Sequence, residues 1–128
     1  MAEFITEGPG VPPAAGPYSA GVVSGDLCFL SGQIALDPDG AGLVGATTAE
    51  QIRQALRNLF AVAAAGGFAA NEVVLINVLL TDVGDFPVVN DAYAAELPDG
   101  HRPARMTFQA AALPLGAKVE VQGFARHA

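Results

Sequence analysis

The stretch from Thr48 to Gly67 constrains this chain more than any other. Ile52, Leu56, Leu59, Phe60 and Ala63 recur at helical spacing, with Arg53, Arg57 and Asn58 on the other side. Thr48 with Gln51 three residues on fits a capping box, and Gly66-Gly67 stops the helix. A helix with one apolar stripe has to bury it, and the flanking segments offer strands for it to cover. Tyr18 to Val23 and Leu27 to Ser31, joined by Ser24-Gly25-Asp26, predict a hairpin. Its second strand is apolar on both faces, which places it inside a sheet. The loop 33–46 follows, with room for a short edge strand at Leu43-Val44. Asn71 to Leu80 is a β-branched run and predicts a central strand. Asp85 caps a second helix to about Leu97, with Pro87 tolerated in its first turn. Arg105 to Ala112 and Lys118 to Arg126 predict two last strands around the turn Leu113–Gly116.

The order β-β-(β)-α-β-α-β-β predicts an α+β fold, one mixed sheet with both helices on one face. Residues 1–15 read as a loosely ordered lead, punctuated by Pro12-Pro13, and residues 16–128 as a single domain. Apolar types make up 52% of the 128 residues, more than a small monomer easily hides. Ala110, Ala112, Val119 and Val121 are expected to make the uncovered sheet face partly apolar, and a second copy of the chain is its simplest cover. Thirteen acidic residues against six basic ones leave a net charge of -7. That balance argues against nucleic acid, whose phosphates need Lys and Arg, and against an anionic membrane surface. The single Cys28 excludes an intrachain disulfide. The first fifteen residues carry no basic residue and no apolar run, so no signal peptide is expected and a cytoplasmic location is.

Metal chemistry is not expected: His101 lies in a turn, His127 is next to last, and neither has a second ligand at metal spacing. There is no phosphate-binding GxGxxG or P-loop and no GxSxG, and Ser19, Ser24 and Ser31 have no His partner signal. Cys28 between Leu27 and Phe29 reads as a small buried hydrophobe. Four polar residues in apolar company remain. Arg105 opens a strand and is either a surface residue at a strand end or a fork for a carboxylate. Glu120, between Val119 and Val121, is either an ordinary outward residue or an acid-base group. Tyr18 after Gly16-Pro17 fits a pocket phenol or a strand-edge aromatic, and Asn90 a helix-surface amide or a substrate hydrogen-bonder.

Taken in order, GPYSAG at Gly16–Gly21, SGQI at Ser31–Ile34, EQIRQALRNL at Glu50–Leu59, DFPVVNDAY at Asp85–Tyr93 and PARMTFQAAALPLGAKVEV at Pro103–Val121 resemble the RidA/YjgF family of reactive-intermediate deaminases. The resemblance runs from about Gly16 to the C-terminus. It implies a chorismate-mutase-like α+β fold, a homotrimer with sites in the clefts between subunits, and cofactor-independent hydrolysis of 2-imino or 2-enamino acids to 2-oxo acids and ammonia. It implies that Arg105 binds the substrate carboxylate and that Glu120 orients and deprotonates water. Backbone groups at Thr107 and Gly32 would hold the substrate, with Tyr18 and Asn90 as pocket walls. Thr107 stands where many members have Cys.

If the last two strands form a hairpin with Ala112 opposite Ala117, Gln109 faces Glu120. Arg105 then lies roughly 13 Å further along the strand, too far for one small substrate to bridge. Arg105 and Glu120 are therefore expected to meet across a subunit boundary. A non-catalytic carboxylate-binding or chaperone-like protein on the same fold would need Arg105 but not Glu120. A dedicated deaminase of a catabolic enamine, its pocket tuned around Phe86, Val89 and Leu97, is the other alternative. RNA cleavage is the option the charge favours least.

Overall fold

The computed structural model describes residues 2–128. Along the chain it places β1 (Ala2–Ile5), β2 (Gly21–Ser24), β3 (Leu27–Gln33), α1 (Thr48–Ala65), β4 (Val73–Leu80), α2 (Phe86–Glu96), β5 (Ala104–Gln109) and β6 (Val119–Arg126). The six strands form one sheet in the order β1-β2-β3-β6-β4-β5. Only β4 and β5 are parallel, joined through α2, and every other neighbouring pair is antiparallel. The expected α+β architecture with two helices on one face is what forms.

α1 lies across the middle of the sheet because its stripe of Ile52, Ala55, Leu56, Leu59, Val62 and Ala63 has no exposure at all. These side chains share one core with Ile76 and Val78 of β4, Val119 and Val121 of β6, and Val89, Ala92 and Tyr93 of α2. The capping box sits one residue earlier than the pattern suggests. Thr47 Oγ1 accepts from Glu50 N at 3.1 Å, and Glu50 Oε1 accepts from Thr47 N at 3.1 Å. Thr47/Glu50 and Thr48/Gln51 both fit the motif, and the carboxylate is the better acceptor of the two. Thr48 instead donates to Asp85 Oδ2 at 2.6 Å, so Asp85 ties α2 to α1 and makes no side-chain cap of its own. Glu96 at the other end of α2 accepts from Arg57 at 2.7 Å and Arg53 at 3.3 Å.

Asn58, expected on the polar side of α1, is fully buried. Its amide donates to the carbonyls of Ile34 at 3.1 Å and Leu36 at 2.9 Å, holding down the loop after β3. The edge strand expected at Leu43-Val44 reduces to a single bridge between Leu36 and Leu43.

Three further expectations are corrected. Residues 2–5, placed in a loosely ordered lead, pair with β2 from Ala2–Ser24 to Ile5–Gly21. Ile5 and Val11 are buried against the end of α1, which is why this segment is tied down. The strand expected from Tyr18 begins only at Gly21, leaving Tyr18 in the preceding bend. The last two strands do not form a hairpin: β4 lies between them. β5, mostly exposed along its length, suits an edge, whereas Val119, Val121 and Ala125 of β6 are fully buried under the helices and suit the centre. Skipping one strand requires only about 10 Å, which the Ala110–Lys118 connection easily spans.

The uncovered face is more apolar than expected, and through other residues. Val119 and Val121 point to the helices. The open face instead carries a row of paired residues, Phe4, Val22, Phe29, Phe124 and Leu75, with Met106 and Phe108 beside it. Phe4 is 67% exposed and Met106 56%.

Candidate active site

Opposed residues on neighbouring strands point to the same face, and successive residues alternate. Arg105 opposes Ile76, and Thr107 opposes Val78. Ile76 and Val78 are buried under the helices, so Arg105 and Thr107 stand on the helix face. Glu120 opposes Leu79, which opposes Phe108, and these fall on the alternate positions. Within one chain, Arg105 and Glu120 therefore lie on opposite faces of the sheet. The row through Glu120 reaches β5 at Phe108, three residues beyond Arg105. The separation expected from a hairpin thus holds for a different reason, the intervening strand and the opposed faces.

On the helix face, α2 presents Phe86, Asn90 and Tyr93 at helical spacing toward Arg105. Arg105 Nη2 donates to Asn90 Oδ1 at 2.8 Å. Its guanidinium carbon lies 4.8 Å from the Tyr93 ring centroid and 5.3 Å from that of Phe86. Among the described residues Arg105 makes no ion pair. With one N–H held by Asn90, others remain for the parallel hydrogen bonds that a carboxylate accepts. The hydroxyls of Thr107 and Tyr93 are buried beside this cluster without hydrogen-bond partners. Burial pushes the Tyr93 phenol up, opposed by the positive charges of Arg105 and Arg102.

On the other side, the β3–β6 register shifts between Leu30 and Gln33, a bulge at Ser31-Gly32. Ser31 Oγ donates to Ser19 O at 2.7 Å and Ser31 N to Ala20 O at 2.9 Å, fastening the bend that carries Tyr18. The bulge brings Gly32 against the Glu120 carboxylate, where a Cβ would collide with Oε2 and sit 3.0 Å from Cδ. Tyr18, Gly32, Glu120, Pro114 and Leu115 line a cleft of about 90 Å³. Leu115 there adopts φ 57°, the one non-glycine residue in the left-handed region among those described. Burial raises the Glu120 carboxyl above its ordinary value.

The six residues singled out in the sequence thus fall into two clusters: Arg105, Asn90 and Thr107 on one face, Tyr18, Gly32 and Glu120 on the other. Phe86 does join the first cluster, but Val89 and Leu97, expected to tune the pocket, are in the core. The sequence reading passed over Tyr93, although its spacing from Phe86 and Asn90 places all three on one helix face. Among the described residues no three His, Cys, Asp or Glu side chains gather as a metal site. Among the described residues no helix is long and apolar enough to cross a membrane.

Residues 10–127 match the family model described as Endoribonuclease L-PSP. A mouse (Mus musculus) 2-iminobutanoate/2-iminopropanoate deaminase is 42% identical over 114 residues, covering 89% of this chain and 84% of that one. The crystal structure of the YjgF gene product from E. coli superposes with a TM-score of 0.90 at 34% identity, covering 98% of this chain and 100% of that one. E. coli TdcF with bound serine superposes with the same TM-score of 0.90 at 33% identity and the same coverage, 98% and 100%. A family model spanning nearly the whole chain, relatives in sequence and a shared fold agree: the chain belongs to the Endoribonuclease L-PSP, or RidA/YjgF, family.

Proposed function

We propose that this protein hydrolyses reactive 2-imino and 2-enamino acids to 2-oxo acids and ammonia without a cofactor. The observation that carries the reading is the pair of complementary groups in a chain 42% identical to an imine deaminase: Arg105 without an ion pair, and Glu120 with its carboxyl raised by burial. The substrate carboxylate accepts two parallel hydrogen bonds from Arg105, with Asn90 setting the guanidinium. Backbone groups at Thr107 and Gly32 hold the remaining polar atoms, and Tyr18 closes the wall. Glu120 orients a water beside the C=N carbon. The water oxygen bonds to that carbon while Glu120 takes its proton and passes it to nitrogen, giving a carbinolamine. Glu120 then moves the hydroxyl proton to that nitrogen, the C–N bond breaks as the C=O bond forms, and ammonia leaves the 2-oxo acid. A carboxyl whose proton affinity is raised by burial is a better proton acceptor once ionised, which suits it to take the water proton.

Because the two clusters lie on opposite faces, the working site joins Arg105 of one subunit to Glu120 of the next in a homotrimer. Two observations support this assembly. The cleft of about 90 Å³ and the open groove of about 370 Å³ that border Glu120 are lined by no Arg or Lys, so a cation for the substrate carboxylate has to come from another chain. The open face exposes Phe4, Phe29, Phe124, Met106 and Phe108, an apolar area that calls for a cover. RNA cleavage gains nothing from a chain of net charge -7.

An amino-acid oxidase or threonine dehydratase generating imine in the presence of this protein tests the reading directly. Faster imine decay with wild type, lost in Arg105→Ala, is the expected result. No acceleration across several imino acids would leave a carboxylate-binding module in its place.

A further inference from the structure

A carboxylate anchor works only if its fork is aimed, and an arginine side chain has many rotamers to lose on binding. Asn90 holds one N–H of Arg105 at 2.8 Å, which fixes one edge of the guanidinium but not where its centre sits. Two rings are near that centre. Phe86, at 5.3 Å, is 40% exposed, so water screens its attraction for the cation. Tyr93, at 4.8 Å, is 7% exposed and approaches from the core side of α2. Its hydroxyl is buried with no hydrogen-bond partner among the described residues. The hydroxyl therefore cannot steer Arg105 by hydrogen bonding, and what remains is the face of the ring.

The geometry points to Tyr93 as the positioning residue for Arg105: its desolvated ring holds the guanidinium by a cation–π contact, so that the N–H donors not taken by Asn90 are presented to the substrate carboxylate. This rests on Arg105 being the carboxylate anchor proposed above. The role belongs to the ring alone, which separates it from a phenol that donates to substrate. Tyr93 also has an unusual cost. Its buried hydroxyl carries a desolvation penalty that no bond offsets, so removing the oxygen while keeping the ring should leave the fold as stable or more so.

The test uses the full chain and two variants. Tyr93→Leu is expected to raise KM about tenfold with kcat changed less than about threefold, because the guanidinium is no longer held in place beforehand and the substrate must order it on binding. Tyr93→Phe is expected to keep both constants within about twofold of wild type and to melt no lower. A readout independent of turnover is the Arg105 Nε–Hε resonance. The ring should displace it from those of exposed arginines in wild type and Tyr93→Phe, and it should return toward them in Tyr93→Leu.

The inference is overturned if Tyr93→Phe loses as much as Tyr93→Leu, which would put the hydroxyl on the substrate. It is equally overturned if Tyr93→Leu moves neither KM nor the Arg105 resonance. Should wild type turn over no imine while the resonance behaves as expected, the deaminase reading fails and the positioning of Arg105 by Tyr93 stands.

Discussion

Gly32 and Glu120 approach so closely across β3 and β6 that a methyl group on Gly32 would occupy the space of the Glu120 carboxylate. The colliding atom is the free end of a flexible side chain, so the fold can yield by swinging the carboxylate aside. Gly32→Ala should therefore cost activity far more than stability. A fall in kcat of about tenfold or more is expected for a displaced acid-base group, with the melting temperature nearly unchanged. Steady-state kinetics beside a thermal melt measures both, and an active Gly32→Ala enzyme would show that Glu120 is not held in place for chemistry.

Glu120 also links catalysis to stability. Burial raises its carboxyl in the folded state, so the folded protein binds that proton more tightly than the unfolded chain does. Stability from this group is therefore greatest below the unfolded value and is lost as pH rises through the folded one. Glu120→Gln escapes the loss. It should melt higher than wild type at neutral pH, the gap closing below about pH 4, while its deaminase activity disappears. Melting curves from acid to neutral pH check the sign, and a wild type more stable than Glu120→Gln at neutral pH would contradict it.

Gly123 serves the frame. It opposes Ile76 in the central part of the sheet, where β4 shifts register between Val73 and Leu75. A Cβ at Gly123 would run into the Leu75 carbonyl oxygen and lie 3.3 Å from the Ile76 Cα, and backbone cannot swing away. Gly123→Ala should cost about 1–3 kcal/mol, seen as a lower urea midpoint, or prevent folding altogether. A fully stable variant would mean that this close approach is not a constraint on the sheet.

How far the sequence carried differs between fold and site, for identifiable reasons. The stripe on α1 and the doubly apolar β3 made the element order readable, because burial imposes a period that survives in one sequence. Strand neighbours were not readable, since alternation reports which face a side chain takes and not which strand lies beside it. Hence β5 and β6, joined by a short connection, suggested a hairpin that β4 in fact divides. The face of Arg105 was hidden as well. Met106 and Phe108, the apolar residues of β5, point to the open face, while the polar Arg105 and Thr107 point toward the helices, the reverse of the usual pattern. Arg105, Glu120, Tyr18 and Asn90 stood out as polar residues in apolar company, but their roles, and Gly32 and Thr107 with them, came through the family motif strings. Their division into two clusters needed the sheet order, which no motif records.

The central claim is that one site takes Arg105 from one subunit and Glu120 from its neighbour. Mixing Arg105→Ala and Glu120→Ala chains under conditions of subunit exchange tests it most directly. Each variant alone should be inactive. In a mixed trimer some interfaces pair the intact Arg105 of one chain with the intact Glu120 of another, so imine hydrolysis should return to a fraction of the wild-type rate. Demonstrated exchange with no recovered activity would contradict a shared site.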